Sequence, residues 1–232
     1  MKLIKSVVNN DGGTKLASDW TLSATAGSGP TDRNIAELGS VQTFHTAYAN
    51  VSYALAETAA PTGYTNGVVW SCTGAVQASD DTHVTVAQGG DVTCTITNTD
   101  NTPRLKLIKS VVNNDGGTKL ASDWTLSATA GSGPTDRNIA ELGSVQTFHD
   151  AYANVSYALA ETAAPVGYTN GTTWSCSGTG IAASDSTHVT LAQNGSVTCT
   201  IINTDNTPQL KLIKSVVNSD GGTKLADRKS VV

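Results

Sequence analysis

Apolar and polar residues alternate in short runs along the chain, and each run ends at a cluster of Gly, Pro, Asn or Asp. A period of two is the pattern of a strand that buries one face. Leu3-Ile4-Lys5-Ser6-Val7-Val8 stops at Asn9-Asn10-Asp11-Gly12-Gly13, a turn cluster. Trp20 to Ala24 reads as a second strand with Trp20 and Leu22 in one phase, and Val51 to Glu57 alternates until Ala60-Pro61-Thr62-Gly63. Val68 to Cys72 follows, and then a hairpin from His83 to Asn98 turning at Gln88-Gly89-Gly90-Asp91. No stretch carries a 3.6-residue apolar period. About seven short strands in about 100 residues predict an all-β sandwich.

The pattern then repeats. Lys2–Val8 returns as Lys106–Val112 and again as Lys211–Val217, and Ala17–Leu22 returns as Ala121–Leu126. A spacing of roughly one hundred residues is too long for a solenoid unit and predicts tandem domains. The divisions are residues 1–100 for the first repeat, 101–104 for a linker, 105–205 for the second repeat and 206–232 for the truncated start of a third. The joints Asn98–Pro103 and Asn203–Pro208 are polar and end in proline, which suits domains set end to end on a stiff connection. Met1 stands where Leu105 stands in the second repeat, so the chain reads as an excerpt of a longer array.

Composition narrows the classes. Only 14% of the 232 residues are charged and the net charge is −5, with no Lys/Arg cluster, which argues against a nucleic-acid surface. No window is apolar for long enough to form a membrane-spanning helix. The four cysteines fall two to a repeat, Cys72 with Cys94 and Cys176 with Cys199. In-repeat disulfides would each close a loop of about twenty residues, worth about 3 kcal/mol, and favour an oxidising compartment. A metal site would need clustered Cys/His spacings that are absent here. No G-x-S-x-G motif occurs, and His45, His83, His149 and His188 have no nucleophile–acid arrangement around them. They read as surface residues. No cofactor is expected.

Three polar residues stand in the wrong phase. Lys5 shares its face with Leu3 and Val7, Glu57 with Val51, Tyr53 and Leu55, and Asn98 with Val92, Cys94 and Ile96. Lys109, Glu161 and Asn203 repeat the arrangement. Burial disfavours the charged forms of Lys and Glu, and a neutral amine is a nucleophile. Against a buried carboxamide it would form a Lys–Asn amide and release ammonia, with the Glu moving protons as general acid/base. Each residue alone has a blander reading: a snorkelling lysine, a solvated glutamate, a turn asparagine. Lys2 is a rival nucleophile in the opposite phase, and Asp100 a rival acyl partner just beyond the strand.

Tyr53-Ala54-Leu55-Ala56-Glu57-Thr58-Ala59-Ala60-Pro61-Thr62-Gly63-Tyr64 resembles the E-box of collagen-adhesin B-type domains, the prealbumin-like (SpaA-like) domains of Gram-positive surface adhesins and pilins. The resemblance covers the whole repeat. It implies a reversed immunoglobulin-like sandwich in which Lys5 and Asn98 form an isopeptide bond with Glu57 as catalytic residue, and Lys109, Asn203 and Glu161 repeat those roles. The bond would form once per fold, so no turnover enzyme is expected. The expected function is an extracellular stalk or spacer on a bacterial surface. Its partners would be neighbouring repeats, with a tip domain outside this chain engaging host matrix or carbohydrate. Two alternatives stand beside it. One is a carbohydrate- or matrix-binding module using Tyr48 or Trp70. The other is a filament subunit that donates the strand Leu210–Val217.

Overall fold

The computed structural model describes residues 1–225. The first repeat contains β1 (Lys2–Val8), β2 (Thr21–Ala26), β3 (Ile35–Leu38), β4 (Ser52–Glu57), β5 (Tyr64–Thr65), β6 (Ser71–Gly74), β7 (Val76–Ser79), β8 (His83–Val86) and β9 (Val92–Asp100). One sheet has the order β1-β9-β5 with β6 also on β9, and the other runs β3-β2-β4-β8-β7. Leu3, Val92, Cys94 and Ile96 from the first sheet meet Leu22, Ala24, Tyr53, Leu55, Val84 and Val86 from the second in one buried cluster. This is the expected all-β sandwich. Among the described residues no helix is long and apolar enough to cross a membrane, which leaves spanning by strands untouched.

The second repeat follows the same plan with β10 (Arg104–Val112), β11 (Thr125–Ala130), β12 (Ile139–Leu142), β13 (His149–Asp150), β14 (Ser156–Glu161), β15 (Tyr168–Thr169), β16 (Ser175–Ser184) and β17 (His188–Asp205). Here β17 runs unbroken through the positions that separate β8 from β9, and this joins both layers into one hydrogen-bonded sheet.

The first and last strands of each repeat are parallel neighbours. Lys5 lies opposite Ile96 and Val7 opposite Asn98 on the β1–β9 pair. Lys109 and Ile201, and Val111 and Asn203, are placed likewise on β10–β17. A parallel pair cannot be closed by a tight turn, so the whole sandwich is the connection between its two halves. Both disulfides form within their repeats, Cys72–Cys94 and Cys176–Cys199. Each joins directly opposed residues of adjacent antiparallel strands.

Several expectations need correction. His83–Asn98 is not a hairpin. β8 pairs with β4 and β7, whereas β9 pairs with β1, β5 and β6 in the other layer. Gln88–Asp91 is therefore a crossover between sheets. Val68 and Val69 lie outside any strand and are exposed, because Gly67 turns the chain over the end of β9 and pairing begins only at Ser71. Leu210–Val217 is irregular, and Leu210, Leu212, Ile213 and Val217 are exposed. The identical segments Lys2–Val8 and Lys106–Val112 are strands because each has the last strand of its own repeat beside it, and among the described residues nothing pairs with the third copy. Trp20 and Trp70, by contrast, fill the core as expected, Trp20 fully buried and Trp70 nearly so.

Candidate functional site

All three polar residues of each repeat lie inside, as their strand phase predicts. Lys5 is 3% exposed and Asn98 fully buried, and the Glu57 side chain is 6% exposed. β1 and β9 bring the lysine and the asparagine to one face of one sheet, and the end of β4 brings the glutamate from the facing sheet. Lys5 Nζ lies 2.7 Å from Glu57 Oε2. Asn98 Nδ2 donates to that same oxygen at 3.2 Å. One carboxylate oxygen thus touches both the amine that would attack and the nitrogen that would leave. The second repeat reproduces the arrangement, with Lys109 Nζ at 2.7 Å and Asn203 Nδ2 at 3.2 Å from Glu161 Oε2.

The pocket around the amine is apolar. Lys5 Nζ lies 5.0 Å from the Trp20 ring centroid, and its stem runs under Gly39, where a Cβ would come within 2.6 Å of Lys5 Cβ. Apart from the carboxylate contact, Nζ has no hydrogen-bond partner. Burial lowers the lysine pKa, opposed by the hydrogen bond and charge of Glu57; Lys109 is lowered for the same reasons. Burial thus favours the neutral form of the amine, whose lone pair is free.

This shift predicts a pH dependence. In an Asn98→Ala chain, which retains the lysine but cannot bond, the unfolded state keeps its proton up to about the ordinary lysine value of 10.5, while the folded state releases it earlier. The unfolded state therefore binds more protons in that window, so folding is favoured as pH rises through it. Urea midpoints for the first repeat of that variant should increase as the pH rises towards the ordinary lysine value. A falling midpoint would mean that the folded lysine holds its proton.

Reading the sequence missed two residues of the site. Gly67 N–H donates to Asn98 Oδ1 at 2.8 Å. Asn66 Oδ1 accepts from Asn98 Nδ2 at 2.8 Å and from Trp20 Nε1 at 3.0 Å. These contacts orient the carboxamide, with its oxygen towards a donor and its nitrogen towards two acceptors. A Cβ on Gly67 would meet Thr97 O at 2.4 Å and Ile96 Cδ1 at 3.0 Å, so only glycine lets the backbone come this close to β9. Asn170 and Gly171 do the same for Asn203. Asn66-Gly67 looks like an ordinary turn dipeptide, and Asn170 like a glycosylation sequon. The usable signal was that Asn-Gly recurs at the same place in both repeats.

The E-box residues also find physical roles. Thr58 pins the end of β4 to β2, its N–H donating to Thr21 O at 3.0 Å and its hydroxyl accepting from Thr21 N–H at 3.1 Å. Tyr64 stacks edge-on against Trp20 at 5.5 Å, and its hydroxyl reaches Asn9 and Lys15 beyond the end of β1. Of the rivals, Lys2 lies over the Phe44 ring, outside the pocket. Asp100 falls within β9 rather than beyond it, and its carboxylate accepts the backbone N–H groups of Asn10, Asp11 and Gly13 at 3.1, 2.8 and 2.8 Å. It ties down the turn after β1 and does not face Lys5.

The family match agrees with this architecture. The family described as a prealbumin-like fold domain matches residues 1–96 and again 100–201. Among solved structures, the chain is similar to the C-terminal fragment of the pilus adhesin SpaC from Lactobacillus rhamnosus GG, at 18% identity over 91% of this chain and 99% of that one, with a TM-score of 0.44. It is similar to a longer SpaC structure at 18% identity and a TM-score of 0.42, covering 88% of this chain but 31% of that one. The major pilin from Streptococcus pyogenes matches at 12% identity over 88% of this chain and 96% of that one, with a TM-score of 0.34. No curated protein sequence matches the chain.

Proposed function

The chain belongs to the prealbumin-like fold domain family, and from that membership we propose that its repeats are stalk segments of a pilus- or adhesin-like structure on a bacterial surface, each stapled by a self-formed Lys–Asn isopeptide bond. The observation that carries the reading is the shared contact of Lys5 Nζ and Asn98 Nδ2 with Glu57 Oε2, buried and present twice.

Glu57 takes a proton from the Lys5 ammonium, and the neutral amine attacks Asn98 Cγ. As the new C–N bond forms, the carbonyl electron pair moves onto Oδ1, where Gly67 N–H already donates. Glu57 then returns its proton to the departing Nδ2, the carbonyl re-forms as the Cγ–Nδ2 bond breaks, Glu57 takes the remaining proton from the new amide nitrogen, and ammonia is released. Fixed geometry substitutes for an external catalyst. Because the bond joins β1 to β9, the load between repeats would pass through it, and neither cofactor nor turnover is involved. An extracellular setting agrees with the two disulfides.

A digest should yield a branched peptide joining the segments around Lys5 and Asn98, and a second around Lys109 and Asn203; linear peptides alone would refute the staple. Immunogold labelling of thin-sectioned cells tests the stalk, and label confined to the cytoplasm would refute it. Gly67→Ala should form its bond at least tenfold more slowly, because the added Cβ lifts the N–H off Asn98; loss of one good oxyanion donor costs about 10²-fold or more. Time-resolved mass spectrometry after refolding measures it, with the second repeat as internal control.

A further inference from the structure

The two repeats meet through a charged joint centred on Asp11, which is 5% exposed on the turn after β1. Its Oδ1 receives the guanidinium of Arg137 at 2.5 Å, and its Oδ2 accepts the Thr102 hydroxyl at 2.7 Å. Its backbone carbonyl accepts from Ala153 N–H at 2.9 Å. Asn154 Nδ2 donates to Gly12 O at 3.0 Å, and Asn194 N–H to Asn101 O at 3.1 Å. Arg137 is held in place by its own repeat, donating to Ala151 O at 2.9 Å and lying 4.1 Å from the Tyr152 ring centroid.

Both halves of this joint occur a second time, unmated. In the first repeat Arg33 donates to Ala47 O at 3.2 Å and lies 4.1 Å from the Tyr48 ring centroid. Asn50 has the φ of 61° that Asn154 has. At the far end of the second repeat, Asp115 sits on the corresponding turn, its N–H bound to Asp205 and its Oδ2 accepting the Thr207 hydroxyl at 2.8 Å. Among the described residues neither Arg33 nor Asp115 has a charged partner within ion-pair distance. The receiving face is thus already shaped before anything docks on it.

We propose that the Arg33 end of the first repeat is a docking face for the Asp-Gly-Gly end of one further repeat of this kind. The Asp11–Arg137 contact is then one instance of a directional lock that recurs at every joint. Such a contact is head-to-tail, so it propagates along an array instead of closing on itself. The guanidinium fork suits a carboxylate. The short linker keeps the two ends at high effective concentration, so a small contact suffices to hold them. The inference does not depend on the isopeptide bond.

The test uses a chain with one further copy of residues 1–104 joined ahead of residue 1, so that Met1 follows Arg104 as Leu105 does. Spin labels replace the exposed strand residues Thr25 and Thr129 in adjacent repeats, and pulsed dipolar spectroscopy reads their separations. Both joints should give the same narrow distribution. Arg33→Ala in the original repeat should broaden the added joint alone, and Arg137→Ala the existing one alone. Asp11→Asn in the added copy, which leaves the receiving repeat untouched, should repeat the Arg33→Ala result. A broad added joint in the unsubstituted chain, or one that stays narrow in both variants, overturns the proposal.

Discussion

Reduced and weighed intact, the protein should be lighter than its sequence by two molecules of ammonia, one for each complete repeat. Lys5→Ala should restore one of them and Lys109→Ala the other, and the double variant should have the full sequence mass. The two sites share no partner, so the effects should add without coupling. Glu57→Gln is the sharper variant. It keeps the shape and a hydrogen bond to Asn98 but cannot take the ammonium proton, so the first repeat should retain its ammonia while the second still loses its own. Acid/base groups of this kind contribute about 10²–10⁴-fold, enough to separate reaction during folding from reaction over days. An undiminished mass for the unsubstituted chain would leave Lys5, Glu57 and Asn98 as a buried polar triad and remove the staple from the stalk reading.

How far the sequence reading reached follows from which physical rule governs each feature. Side-chain phase depends only on strand periodicity, so the burial of Lys5, Glu57 and Asn98 could be read from their apolar neighbours before any pairing was known. Pairing partners are not set by phase. Gln88-Gly89-Gly90-Asp91 has hairpin chemistry, yet β8 and β9 part into different layers, because Val92–Asp100 is buried along one edge by the parallel strand β1. Residues acting through the backbone were the hardest to see. Gly67 contributes an N–H whose importance depends on a close approach to Thr97, and nothing in its identity distinguishes it from a turn glycine. Asp11 likewise looks like part of a turn, since its partner Arg137 lies in the other repeat.

Pulled from its two ends, the unsubstituted protein should release almost no length from either repeat, whereas an Asn98→Ala chain should release the first. That variant keeps the Lys5–Glu57 pair and removes only the acyl group, so the comparison isolates the covalent link. Residues 5 to 98 are about ninety, and the Cys72–Cys94 bridge hides 22 of them. The first repeat should therefore lengthen in one step by about 240 Å, and by roughly 75 Å more when the disulfide is reduced, at about 3.4 Å per extended residue. The step still needs force. β1 and β9 are parallel over seven opposed residues, so tension on the two chain ends shears the whole ladder at once instead of opening it pair by pair. The hydrogen bonds alone would thus resist load and then fail together, a failure that the proposed amide would prevent. Equal release from the unsubstituted and Asn98→Ala chains would show that the ladder carries the load unaided.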